Sequence, residues 1–108
     1  MIWTYLLTFL ATVFLDIMDT VNFHQATMIF PRTKYFTISE NSNLFGDAWH
    51  DSKKLMQLCF ALSQWAAYDA WGPLTIENII FHVVITMVIY YLTHKLFFGW
   101  LFIRPEYR

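Results

Sequence analysis

A chain of 108 residues is long enough for one domain, but 57% of it is hydrophobic, 20% aromatic and only 14% charged, against about 25% charged in soluble domains. A water-soluble fold of this size has too little interior to hide so much apolar surface, and a bilayer removes the need to hide it. The net charge of −1 excludes the basic field of a nucleic-acid-binding protein, so the expected partner is the lipid bilayer and not nucleic acid.

The first element is expected over about 2–30, stopping at Pro31. Thr4, Thr8, Thr12, Asp16, Thr20 and His24 recur at every fourth position, and the residues between them are nearly all apolar. Side chains four apart stack on neighbouring turns of one helix face. The result is an apolar helix with one polar ridge that ends in ionisable groups. Such a ridge faces other protein and not lipid, and its threonines can bond back to the helix's own carbonyls. The stretch has no basic leader, and Asp16 and Asp19 stand where a signal peptide needs small residues for cleavage, so the segment is expected to be retained.

A turn-rich loop follows over 31–46, with room for a short strand at 35–38. The second helix is expected over 47–71. Its first two turns hold Asp47, His50, Asp51, Ser52, Lys53 and Lys54, and mostly apolar sequence follows. It either crosses the membrane with its polar start among the headgroups or lies along the interface as an amphipathic helix. Cys59 sits in its apolar part; a lone cysteine forms no internal disulfide and reads as a small core residue.

The third helix is expected over 74–103, with Glu77 favouring its N-terminus. It is the clearest span, and Asn78, His82, Thr86, Tyr90 and Thr93 form a polar stripe along one side. That stripe fits ordinary interhelical hydrogen bonding. The expected fold is therefore all-α, a single domain over 1–108 formed by a small integral membrane bundle of three transmembrane helices.

Charge sets the expected orientation. With three crossings, Arg32, Lys34, Lys53, Lys54, Lys95, Arg104 and Arg108 all fall on one side. By the positive-inside rule the N-terminus is then outside and the C-terminus cytoplasmic. Trp3, Tyr5, Trp65, Tyr68 and Trp71 near one face, with Trp49, Trp100 and Tyr107 near the other, match interfacial aromatic belts.

This topology brings the ionisable groups to one depth. Asp16, Asp19 and His24 end the first helix, Asp47, His50 and Asp51 open the second, and His94 lies at the same level on the third. Asp47 and His50 stand one turn apart, a spacing that suits a shared metal or proton transfer. Asp19, His24, Asp47 and His50 are the candidate ligands for a divalent metal, zinc, manganese or iron, with Asp16 or Asp51 as the catalytic base. The same groups also have structural explanations. Asp47 is a good N-cap, Asp51 favours the helix dipole, and Asp16 and Asp19 could pair with Lys53, Lys54 or Lys95. His82 reads as a hydrogen-bonded bundle residue. No G-x-S-x-G, P-loop, G-x-G-x-x-G or H-E-x-x-H motif is present.

The stretch Asp16-Ile17-Met18-Asp19-Thr20-Val21-Asn22-Phe23-His24, followed by Asp47-Ala48-Trp49-His50, resembles a group of small bacterial and phage membrane proteins without an assigned activity. They carry M-D-T-x-x-F-H on the first hydrophobic helix and D-A-W-H or D-G-W-H at the start of the second. The resemblance implies that Asp19, His24, Asp47 and His50 belong together. The connecting loop of that group is longer and tryptophan-rich, whereas residues 31–46 contain no tryptophan. Three functions are expected to compete: a metal site at the cytoplasmic membrane interface acting on a lipid-like or phosphate substrate, a holin-like pore-forming homo-oligomer, and an accessory subunit of a larger membrane complex.

Overall fold

The computed structural model describes residues 2–33, 35–36, 47–71 and 75–108. Among the described residues there are three α-helices: α1 (Ile2–Phe23), α2 (Ala48–Trp71) and α3 (Ile76–Leu96). A five-residue π-helical turn, Phe97–Leu101, extends α3, and a short 3₁₀ turn, Pro105–Tyr107, follows it. Lys34, residues 37 and 38 of the short strand expected over 35–38, the rest of that loop and residues 72–74 lie outside the described residues. Tyr35 and Phe36 themselves form a turn.

The threonine ridge of α1 is the molecular interior. Thr4, Thr8, Thr12, Asp16 and Thr20 are all between 0 and 2% exposed. Thr8 and Thr12 donate to the carbonyls of Thr4 and Thr8 at 2.8 and 2.9 Å, which satisfies their hydroxyls inside the helix. Ser63 of α2 then shares a hydrogen bond with the Thr8 hydroxyl at 3.0 Å and donates to the Thr4 carbonyl at 3.2 Å. Small polar residues let the two backbones approach closely, as at other helix contacts in apolar surroundings.

At the other end of the hairpin, Ala48 packs with Val21 and Met28 in a small apolar core flanked by Ile17, Phe30 and Trp49. Ser63 thus meets the start of α1 and Ala48 meets its end, so α2 runs antiparallel to α1 along almost its whole length. The 15 residues between these α2 positions span about 22 Å, close to the roughly 20 Å between Thr8 and Val21 on α1.

The first helix ends earlier than its hydrophobicity implies. Expected to reach residue 30, α1 stops at Phe23. The Gln25 side chain donates to the Val21 carbonyl at 2.6 Å and to the Phe36 carbonyl at 3.0 Å. It thereby occupies a carbonyl that a further helical turn would use. The chain then turns and pairs Met28 with Ile103 in an isolated antiparallel bridge, through Ile29 N–H to Phe102 O and Arg104 N–H to Thr27 O, both at 2.7 Å. This ties the end of α3 to the end of α1. Thr75 caps the start of α3 by accepting from Asn78 N–H at 3.2 Å, the role its side-chain oxygen suits.

Among the described residues two helical runs are long and apolar enough to cross a membrane: Ile2–Phe23, and Ile76–Leu101 with its π turn. They differ in surroundings. A face of α1 is covered by protein, whereas in α3 Thr93 alone is buried. Ile76, Ile80, Phe81, Val84, Met87 and Leu92 of α3 all point outward. The second helix is not apolar enough to join them: besides the charges of its first turns, Gln57, Ser63, Gln64 and Asp69 interrupt its apolar part.

Candidate metal centre

Asp16 is the residue around which the site is built. The fourfold spacing that buries the threonines also buries this carboxylate completely. An unpaired buried carboxylate is costly. Asp16 Oδ1 is met by Nδ1 of His94, from the last turn of α3, at 2.6 Å. The other oxygen, Oδ2, is buried and has no hydrogen-bond partner among the described residues.

Asp19 lies less than one turn further along α1 and is half-buried. One donor atom from each of Asp16, Asp19 and His94 falls within 4.8 Å of the others. Two carboxylates and an imidazole at that separation form an oxygen-rich donor set, which suits manganese, iron or zinc. The hydrogen bond to Asp16 fixes the His94 tautomer, and a cation shared by Asp16 and His94 would take the place of the proton on Nδ1.

Aromatic rings hold His94 in place. Tyr90 stacks on one side at 5.5 Å and 6°, and Phe98 stacks at 4.8 Å and 19°. The π turn is what aims Phe98 there: the wide turn, closed by Phe102 N–H to Phe97 O at 2.8 Å, rotates the chain away from the plain α-helical path. Phe98 in turn stacks on His24 at 4.4 Å and 10°. Phe97 meets Phe9 of α1 edge-on at 5.9 Å, a second contact joining the two helices.

The six residues expected at the site divide into separate groups. Asp16 and Asp19 come together, joined by His94, which the sequence placed at the right depth but outside the ligand set. His24, just beyond the end of α1, lies in the aromatic stack, with Nδ1 buried and without a hydrogen-bond partner among the described residues. Asp47 and His50 form their own pair. Asp47 is fully buried and accepts from the His50 backbone N–H at 2.7 Å, while the His50 ring nitrogen Nδ1 lies 2.8 Å from its other oxygen. This is N-cap geometry. Asp51 accepts from the Tyr35 hydroxyl at 3.0 Å. Burial, and then the Asp51 carboxylate, hold the Tyr35 phenol above its ordinary range. Among the described residues, Asp16, Asp19 and His94 are the set whose donor atoms converge.

Family models, curated proteins and solved structures were all compared with the chain, and none matches it.

Proposed function

We propose that the protein is a three-helix integral membrane protein that holds a divalent cation on Asp16, Asp19 and His94, near the cytoplasmic surface of the bilayer. The observation that carries this reading is the buried Asp16 carboxylate. One of its oxygens is met by His94, the other is left without a protein partner, and a second carboxylate stands beside it. Buried polar atoms without partners are rare in folded proteins, and a bound ion is one of the ordinary reasons for them.

Three features support the membrane placement. Two helices have the length and composition of spans. The less apolar α2 lies against α1 along almost its whole length, so a membrane crossed by α1 is crossed by α2 beside it. Finally, α3 starts five residues after α2 ends, and the chain just beyond it is bridged to Met28 through Ile103, so α3 traverses the hairpin from one end to the other. The described lysines and arginines, Arg32, Lys53, Lys54, Lys95, Arg104 and Arg108, then lie at one end, which is cytoplasmic by the positive-inside rule.

Three protein donors leave coordination positions for water or a substrate oxygen. Metal-assisted hydrolysis of a lipid-like or phosphate substrate uses such an arrangement, and a site at headgroup depth meets substrates of that kind. Asp47 and His50 act in this reading as the cap that starts α2.

Elemental analysis of the full-length protein, purified in detergent from cells grown with added manganese, iron or zinc, tests the proposal. The expected result is roughly one metal per chain, bound about tenfold or more weakly in His94→Ala and in Asp19→Asn. A folded wild-type protein with metal at background levels under all three conditions would refute it.

A further inference from the structure

A cleft lies at the end of the helix hairpin opposite the metal centre, about 20 Å along α1 from Asp16. Its volume is about 400 Å³, inside the roughly 300–1,000 Å³ range of small-molecule sites. Trp3 of α1 and Trp65 of α2 line it, with Asp69 one turn beyond Trp65 and the small Ala66 and Ala70 beside them. The spacing explains the shape. Positions 65 and 69, and positions 66 and 70, are each four apart on α2, so a bulky ring and a carboxylate stand beside two alanines that keep the space open. Both indoles are largely exposed, at 66% and 67%.

Interfacial tryptophans alone would account for the rings, but not for a carboxylate among them. The sequence has no lysine or arginine before Arg32 or between Lys54 and Lys95. Asp69 therefore has no basic side chain in either stretch that forms this end of the hairpin. Two indoles and an aspartate lining one cleft are the residue types that recognise an organic ammonium group, which binds to aromatic faces while its charge is balanced. We propose that this cleft binds the ammonium headgroup of a zwitterionic membrane lipid. The lipid is the source because the cleft lies where the α1–α2 hairpin meets the outer bilayer surface, and the two leucines lining it continue the apolar surface that an acyl chain covers. The inference rests on the membrane placement and not on the metal.

The test is tryptophan fluorescence of the full-length protein in maltoside micelles, titrated with a short-chain phosphocholine lipid, a phosphoglycerol lipid of equal chain length, and tetramethylammonium chloride. The expected result is saturable binding of the phosphocholine lipid, weaker by about tenfold or more in Trp65→Leu and in Asp69→Asn, and unchanged in Trp100→Leu. Asp69 is exposed, so its substitution leaves the fold intact, and metal content in the same samples separates this site from the one at Asp16. Equal binding of the phosphoglycerol lipid would overturn the proposal, since the chain and not the ammonium would then be recognised. Tetramethylammonium binding as tight as the lipid would overturn the lipid as the source, and unchanged affinity in Asp69→Asn would remove the charge from the account.

Discussion

Asp16 and His94 are each explained by the other. A fully buried carboxylate needs a donor, and the imidazole needs an acceptor to fix its tautomer. Their energies should therefore be coupled: a double-mutant cycle with Asp16→Asn and His94→Gln, followed by thermal unfolding in detergent, is expected to give an interaction energy of about 0.5–3 kcal/mol. Additive effects would mean that the 2.6 Å contact contributes little to stability. Asp16 and Asp19 were legible in the sequence because acids inside an apolar helix are conspicuous. The role of His94 was not, since it comes from 78 residues away and depends on how α3 meets α1, which no local pattern encodes. Its depth was the one available signal. His24 misled for a local reason: its fourfold spacing continues the ridge, but the helix has already ended at Phe23, where Gln25 takes the Val21 carbonyl.

At the scale of elements, Asp47 separates a cap from a ligand. Its carboxylate receives the His50 backbone N–H, so Asp47→Ala is expected to destabilise the protein by about 1 kcal/mol, and Asp47→Ser to restore most of it. Metal content should be the same in both variants; loss of metal in Asp47→Ser would return Asp47 to the ligand set. The α1–α2 contact has its own test at Ser63, which fits between Thr4 and Thr8. Ser63→Ala should cost only about 0.6 kcal/mol, a typical interhelical hydrogen bond in a membrane protein. Ser63→Leu should cost about 1–3 kcal/mol, because a larger side chain must push two close backbones apart. Thermal unfolding of both variants measures the difference. The ridge itself was fully legible, since threonine every fourth residue in apolar sequence has one helical solution. The π turn was not, because nothing in Phe97-Phe98-Gly99-Trp100-Leu101 marks a wider turn until Phe98 is seen between two imidazoles.

For the whole molecule, composition pointed to a membrane, and the structure supplies two helices able to cross one. The status of α2 could not be read from its residues, because its polarity argues for the interface and its packing on α1 argues for crossing. Orientation can be measured directly. With Cys59 replaced by alanine, Glu77→Cys should react with a membrane-impermeant maleimide on intact cells, and Glu106→Cys only after permeabilisation. Labelling of both from the same side would mean that α3 does not span. The outward apolar residues of α3 are expected to face lipid, which costs nothing in a bilayer and would be a liability in water.

The most direct test of the central claim is X-ray absorption spectroscopy of the metal-loaded, detergent-purified protein. A first shell of oxygen and nitrogen donors should include one imidazole, and its scattering should vanish in His94→Ala while surviving in His24→Ala and His50→Ala. An imidazole signal that survives His94→Ala, or disappears with His24 or His50, would contradict a centre built on Asp16, Asp19 and His94.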